Sequence, residues 1–304
     1  MNTELTWNLL DDLRQMQSYP FMVNALRAGT LVAIMSGAVG WMMVLRRESF
    51  AGHTLAVIGF PGAAAAAWLG IATGYGYVTA CLLAALAIAG LSPLTRAGGV
   101  GGFTEESAVI GTVQAVALAT GLLFVSLYHG FLSGLTNLLF GTIAGVSDAQ
   151  VWLVGAGTVI CLALLAAIGR PLLFTTVDPL AASANGVPTR LMAAAFLVVL
   201  GITAGAASQV TGSLLVFALL VAPAAAAQQL TARPALGVAL SVLIALAVTW
   251  IGMGAAFFSP YPIGFWVATL GYGSYLAAAA ARAIIGRART RNHPAALTRV
   301  AQPV

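Results

Sequence analysis

The sequence has few of the residues that a water-soluble domain needs at its surface. Charged residues make up only 7% of its 304 positions, and lysine is absent, so all 13 basic side chains are arginines. Hydrophobic residues account for 60%, with a mean hydropathy of +0.97. A soluble domain carries about 25% charged residues. The composition therefore excludes a soluble protein and predicts a chain embedded in a membrane.

Two further shortages narrow the class of protein. The two cysteines, Cys81 and Cys161, both lie within apolar runs, which excludes a disulfide framework and a thiolate metal site. No phosphate loop of the form G-x-x-x-x-G-K-[ST] is present, and the lysine that it requires is missing. We therefore expect a protein that is not an enzyme and takes its energy from elsewhere.

Long apolar runs bounded by glycine, proline or charge recur along the chain. A bilayer about 30 Å thick takes roughly 20 apolar residues per helix, and a helix satisfies its own backbone hydrogen bonds in lipid. We predict an all-α, polytopic integral membrane protein with eight or nine transmembrane helices. An eight-span arrangement would make the short segment 76–91 re-entrant. The nine predicted spans are 22–45, 53–72, 76–91, 107–128, 151–174, 191–209, 213–231, 235–257 and 264–282.

The arginines predict the orientation of these spans, because loops on the cytoplasmic side retain positive charge. With nine spans, one side receives only Arg14 and Arg27. We therefore expect the amino terminus outside and the carboxyl terminus in the cytoplasm. This distribution also argues against nucleic acid as a partner, since the arginines are dispersed singly and form no basic face. The eleven arginines of the other side are Arg46, Arg47, Arg96, Arg170, Arg190, Arg233, Arg282, Arg287, Arg289, Arg291 and Arg299.

The chain divides into three regions by composition. Residues 1–19 interleave acidic and apolar side chains, which predicts a short amphipathic segment on the outer surface. Residues 20–282 form the transmembrane region, and the basic residues 283–304 form a cytoplasmic tail that lies against anionic lipid headgroups or frays. Uncharged polar residues within the spans are expected to face other helices, because exposure to lipid is costly. These are Asn24, Gln114, Gln209, Gln228 and Gln229.

The loop between the fifth and sixth spans carries the signals of a short capped helix. Asp178 can accept hydrogen bonds from the free amides at a helix start, and Pro179 suits the first helical position. Asn185 and Gly186 permit the left-handed turn that ends a helix. We predict a surface helix of about two turns that serves as a docking element. The alternative is a capped turn with no partner.

Several segments have an order and spacing that is typical of one family. They are Pro20-Phe21-Met22 with Ala25-Leu26-Arg27-Ala28-Gly29, Leu45-Arg46-Arg47-Glu48-Ser49-Phe50-Ala51-Gly52, Pro61-Gly62, Glu106-Ser107-Ala108-Val109-Ile110-Gly111, Leu139-Phe140-Gly141 before Gly145-Val146, Asp178-Pro179 to Gly186-Val187-Pro188, and Gly212 to Ala227 around Pro223. Together they resemble the permease subunits of ABC importers for divalent transition metals, which carry manganese, zinc or iron. The resemblance covers residues 20 to about 282.

The resemblance implies a permease subunit in the cytoplasmic membrane that is driven by a separate cytoplasmic ABC ATPase. It also implies an extracellular metal-binding protein that delivers the cargo, and a second copy of the permease that completes the path as a homodimer. No cofactor stays bound, and the metal ion only passes through. The loop between the fifth and sixth spans is similar to the coupling helix of the family. This similarity implies that the ATPase contacts Asp178, Pro179, Ala182, Asn185 and Gly186.

A metal path needs carboxylate, imidazole or thiolate groups that replace the water of the ion. His53 lies where the resembled family usually has an aspartate, and Val57 lies where it usually has a histidine. His53 is thus a candidate ligand, and the alternative is a histidine bonded to backbone or water near the interface. Glu106 matches the first member of the family's acidic pair, whose second member is Ser107 here. We expect Glu106 to act in gating or structure more than in ligation.

Prolines and glycines in the spans predict helix breaks along the path. Pro61 and Pro223 remove helical hydrogen bonds at membrane depth, which suits discontinuous helices, although either could be a static kink. Gly62 and Gly212 accompany them in the family pattern. We therefore name Pro61, Gly62, Gly212 and Pro223 as candidate break or gating positions.

Two other functions fit the sequence less well. A secondary transporter driven by a proton or sodium gradient needs carboxylates inside the membrane, and the acidic residues here lie at the ends of spans. An ABC permease for a non-metal or chelated cargo stays open, because the aspartate and histidine pair of the family is changed.

Overall fold

The computed structural model describes residues 14–16, 18–96, 102–127 and 145–292, without the side chains of 92–96, 102–106, 214 and 286–292. Regular structure in these ranges is helical, which confirms the predicted all-α class. The ten helices are α1 (Pro20–Leu45), α2 (Ser49–Trp68), α3 (Thr73–Arg96), α4 (Gly102–Leu127), α5 (Asp148–Val177), α6 (Pro179–Ala184), α7 (Thr189–Thr211), α8 (Ser213–Leu230), α9 (Pro234–Phe258) and α10 (Ile263–Asn292).

Eight helices of the described chain are long and apolar enough to cross a membrane, namely α1 to α5, α7, α9 and α10. The ninth apolar helix, α8, has 18 residues and a length of roughly 27 Å. The prediction that 76–91 would be the short segment is wrong, because α3 runs without interruption from Thr73 to Arg96. Helix α3 therefore extends beyond the predicted segment at both ends. The shortest of the nine long apolar helices is α8.

The interior of the bundle is built from α1, α2 and α7, whose apolar stretches are mostly buried. In contrast, α4, α5 and α10 leave most of their apolar surface uncovered within this chain. Small residues let the inner helices approach closely. A Cβ on Gly62 of α2 would overlap the carbonyl oxygen of Gly76 on α3, and a Cβ on Gly76 would overlap the carbonyl oxygen of Gly62. The two backbones therefore touch at a crossing that only glycine permits.

The helix break lies at Gly212 and not at the prolines. Both α2 and α8 continue through their internal prolines, Pro61 and Pro223, so the predicted discontinuities at these positions are wrong. The chain can keep a proline in a helix where neighbouring helices compensate for the lost hydrogen bond. Gly212 separates α7 from α8 with φ 75° and ψ 154°, a conformation that is essentially restricted to glycine.

Polar side chains within the spans join neighbouring helices, as the sequence predicted. The amide of Asn24 donates to Asp148 at 3.0 Å, linking the starts of α1 and α5. Gln114 accepts from Thr54 at 2.9 Å, and Gln228 donates to the carbonyl oxygen of Trp41 at 3.0 Å. Gln229 accepts from Arg282 at 2.7 Å. Gln209 differs, because its buried amide has no hydrogen-bond partner within the described part of the chain.

The carboxyl-terminal region differs from the predicted division. Helix α10 continues past residue 282, where the sequence predicted the basic tail to begin, and ends at Asn292. Arginine favours helix as strongly as most apolar residues do, so the rise in charge at 282 changes the environment of the chain without ending the helix. The tail beyond 292 and most of the predicted amphipathic segment, residues 1–13, lie outside the described residues.

Candidate functional site

His53 lies in the second turn of α2, directly after the tight turn that joins α1 to α2. Backbone hydrogen bonds from Arg47 to Val44 (3.1 Å) and from Glu48 to Met43 (3.0 Å) close α1, with Arg47 in the left-handed region at φ 60°. The half-buried imidazole packs edge-on against the ring of Phe217 in α8, with 4.9 Å between the ring centroids. Phe217 thus packs against one side of the imidazole, a contact that no pattern in the sequence predicted.

One face of α2 is left open by the described residues of the chain. Phe50 is exposed, and His53, Val57 and Phe60 are half-buried, whereas every other residue between 50 and 60 is buried. Their spacing of three, four and three residues places them on a single stripe of the helix. The candidate ligand His53 therefore lies on an uncovered helix face within the membrane-spanning region, and Val57 occupies the position one turn further along it.

The described residues of this chain do not complete a metal site. No group of three or more histidine, cysteine, aspartate or glutamate side chains assembles among them. The side chain of the second candidate, Glu106, lies outside the described residues, although its helix α4 packs along α2. The hydrogen bond from Thr54, the neighbour of His53, to Gln114 joins these two helices. A single imidazole on an open face therefore needs further ligands from outside the described residues.

The second candidate region, helix α6, has the capped geometry that the sequence predicted. The carboxylate of Asp178 accepts from the backbone amide of Ala181 at 2.9 Å, and Pro179 occupies the first helical position. Gly186 adopts φ 79° and lets the amide of Val187 donate to the carbonyl oxygen of Ala182 at 3.0 Å. Both ends of this six-residue helix are therefore fixed.

Helix α6 also presents an apolar side chain that sequence reasoning missed. Leu180 is 82% exposed, while Ala182 is buried against the bundle. The amide of Asn185 donates to the carbonyl oxygen of Ala181 at 2.8 Å and so turns back onto the helix. The outer face of α6 therefore carries one large apolar side chain, Leu180, on a helix that lies between two long apolar helices.

The fold matches a class of solved membrane transporters. The structure superposes on PsaBC from Streptococcus pneumoniae, solved in complex with Fab, with a TM-score of 0.77 and 25% sequence identity. The superposition covers 89% of this chain and 95% of that chain. Long apolar helices with one short capped helix between the fifth and sixth spans therefore define a polytopic permease of the ABC-transporter class.

Sequence comparison identifies the family within this class. The chain belongs to the ABC 3 transport family, whose sequence model matches residues 18–282. It is 31% identical over 227 residues to the manganese transport system membrane protein MntC of Halalkalibacterium halodurans, covering 74% of this chain and 75% of that protein. It is 30% identical over 213 residues to the manganese import system permease protein ScaB of Streptococcus parasanguinis, covering 70% and 73%. The predicted family is thereby confirmed, and the chain is a multi-pass permease of the cell membrane.

Proposed function

We propose that this chain forms the membrane path of an ABC importer for manganese or a chemically similar divalent metal such as zinc or iron. The observation that carries the proposal is His53 on the open face of α2, in a chain whose relatives MntC and ScaB are named for manganese transport. Imidazole is a ligand for such ions, and a path must hold them weakly enough for release. An isolated imidazole on an open face suits passage better than storage.

A second copy of this chain would cover the open stripe Phe50, His53, Val57 and Phe60. The two copies would then bring two imidazoles to one path, which supplies ligands that one chain lacks. Uncovered apolar surface on α4, which packs along α2, supports an interface on this side. Glu106 lies in the first turns of α4 and would act in gating or structure more than in ligation.

The ATPase would dock on α6, because Leu180 is exposed there and both helix ends are fixed. The chain itself would hold neither an ATPase site nor a resident cofactor, and the metal would be cargo. An extracellular metal-binding protein would deliver the ion at the opposite end, near the amino terminus of α1. In this arrangement the amino terminus lies outside, the carboxyl terminus lies in the cytoplasm, and most of the arginines lie on the cytoplasmic side.

Reconstitution tests this proposal. Vesicles that contain the permease with its ATPase and binding protein should accumulate manganese, zinc or iron when ATP is supplied, and vesicles with the permease alone should not. Accumulation by the permease alone under a proton or sodium gradient would establish a secondary transporter instead. ATP-driven uptake of a chelate but of no free ion would establish the chelate permease.

Substitutions of His53 in the same assay separate the role of its ring nitrogens from the role of its packing. His53→Phe keeps a ring against Phe217 but removes both nitrogens, so uptake should fall while assembly is retained. The double variant His53→Asp with Val57→His has the pair that the family usually has. It should take up metal, in contrast to His53→Phe. Wild-type uptake by His53→Phe would remove His53 from the path.

A further inference from the structure

Arg46 lies in the turn between α1 and α2. It makes a set of contacts that are not needed for a positive charge that only keeps this loop on the cytoplasmic side. Its Nε donates to Oε1 of Glu48 at 2.9 Å, and its Nη2 lies 2.7 Å from the same oxygen. Its Nη1 donates to Oγ1 of Thr176 at 3.1 Å. The guanidinium also lies over the ring of Phe196, with Cζ 5.3 Å from the ring centroid. The side chain is only 11% exposed.

These partners lie in or next to three different helices around α6. Glu48 is the cap residue directly before α2, five positions before His53. Thr176 lies in the last turn of α5, two residues before the cap of α6, and Phe196 lies in α7, which follows α6. One guanidinium thus contacts the helix on each side of α6 and the start of the helix that carries His53.

The contact with Thr176 has a defined direction. The hydroxyl of Thr176 donates its own proton to the carbonyl oxygen of Leu172 at 2.7 Å, so its oxygen is left to accept from Arg46. A planar guanidinium can donate to Glu48 and Thr176 while its face stacks on Phe196. A lysine ammonium has one charged point and cannot hold all three positions at once.

Direct packing between α6 and α2 is interrupted at this place. A cavity of about 450 Å³ lies between Phe50 of α2, Ile110 of α4, Pro179 of α6 and Leu197 of α7. The main contacts of α6 are with its flanking helices α5 and α7. A displacement of α6 therefore reaches the start of α2 through these two helices. Beside the direct packing of α2 on α7, Arg46 joins the start of α2 to α5 by a hydrogen bond and to α7 by a ring contact.

We propose that Arg46 is a positioning residue that makes α2, with His53, move together with α6. This inference rests on the proposed function, in which α6 receives the motion of the ATPase. The link stores no energy and contacts no cargo. It keeps the start of α2 in a constant position relative to α5 and α7 when α6 is displaced. ATP hydrolysis and the opening of the metal path therefore stay coupled.

The test measures metal ions taken up per ATP hydrolysed by the reconstituted complex. Arg46→Gln and Arg46→Lys should both lower this ratio by roughly tenfold, the effect of losing a hydrogen bond to a charged group, while ATP hydrolysis continues. Thr176→Val removes only the acceptor in α5 and should lower the ratio less. The matched control is Arg47→Gln, which removes the same charge from the adjacent exposed residue and should leave the ratio unchanged.

Two outcomes in this assay overturn the inference. A wild-type ratio in Arg46→Lys would mean that only positive charge is needed, and a wild-type ratio in Arg46→Gln would mean that the link is dispensable. Should the Arg46 variants fail to assemble, Thr176→Val decides alone, and its wild-type ratio would overturn the inference.

A second measurement does not depend on the cargo and so separates this inference from the proposed function. Spin labels on Arg47→Cys, in the turn directly before α2, and Ser183→Cys in α6, both exposed and outside the stripe that a second copy would cover, report the distance between the start of α2 and α6 in the complex. The native Cys81 and Cys161 are buried. The distance should stay constant on addition of an ATP analogue in the otherwise unchanged protein and should shift in Arg46→Gln. An identical response in both proteins overturns the inference, whatever the complex transports.

Discussion

At the scale of single residues, Gly212 has a conformation that no other residue adopts easily. Its φ of 75° and ψ of 154° lie in a region that costs other residues about 1–3 kcal/mol. We therefore expect Gly212→Ala to lower the melting temperature of the purified protein by several degrees. Gly254→Ala is the matched control, because a Cβ there meets open space at an ordinary φ. Equal melting temperatures for the two variants would show that α7 and α8 can be joined without glycine.

At the scale of elements, α6 is fixed at both ends by single residues. Asp178→Ala should cost about 1 kcal/mol through loss of the cap, and Gly186→Ala should cost about 1–2 kcal/mol at its positive φ. Together they should reduce copurification of the ATPase, since a frayed helix presents Leu180 poorly.

Leu180→Asp tests the docking surface of α6 with its caps intact and should have the same effect on copurification. Ser183→Ala is the control, because the hydroxyl of Ser183 bonds only within α6, to the carbonyl oxygen of Leu180. Copurification at the wild-type level in both the cap variant and Leu180→Asp would contradict ATPase docking on α6.

At the scale of the whole molecule, the alternation of loops between two sides can be tested directly. The link between Asn24 and Asp148 places the starts of α1 and α5 on one side, and that between Arg46 and Thr176 places the α1–α2 turn beside the end of α5. In intact cells, an impermeant maleimide should label Ser18→Cys but not Ser183→Cys, because α6 faces the cytoplasm in the proposed orientation. The opposite pattern of labelling would invert the proposed orientation.

The sequence was sufficient for features that depend on neighbouring residues. The apolar runs predicted eight or nine transmembrane helices because the bilayer requires both length and internal hydrogen bonding, and eight of the described helices meet these requirements. Asp178 and Gly186 predicted the ends of α6 because caps are local. The helix discontinuities predicted at Pro61 and Pro223 were wrong. A proline removes a helical hydrogen bond locally, but neighbouring helices can compensate for this loss. The sequence named His53 only as a candidate ligand, and it predicted neither the contact with Phe217 nor the open stripe, because both depend on which helices pack together.

The sequence by itself determined that this chain lies in a membrane, which loops share a side, and where helix α6 begins and ends. These properties follow from hydropathy, charge and backbone preference, which act over a few residues. The tertiary structure alone decided that Arg46 meets Thr176, 130 positions away, and that His53 packs on Phe217. Helices of nearly uniform apolarity carry little information on which faces meet, so close packing of glycine and alanine surfaces selects the neighbours.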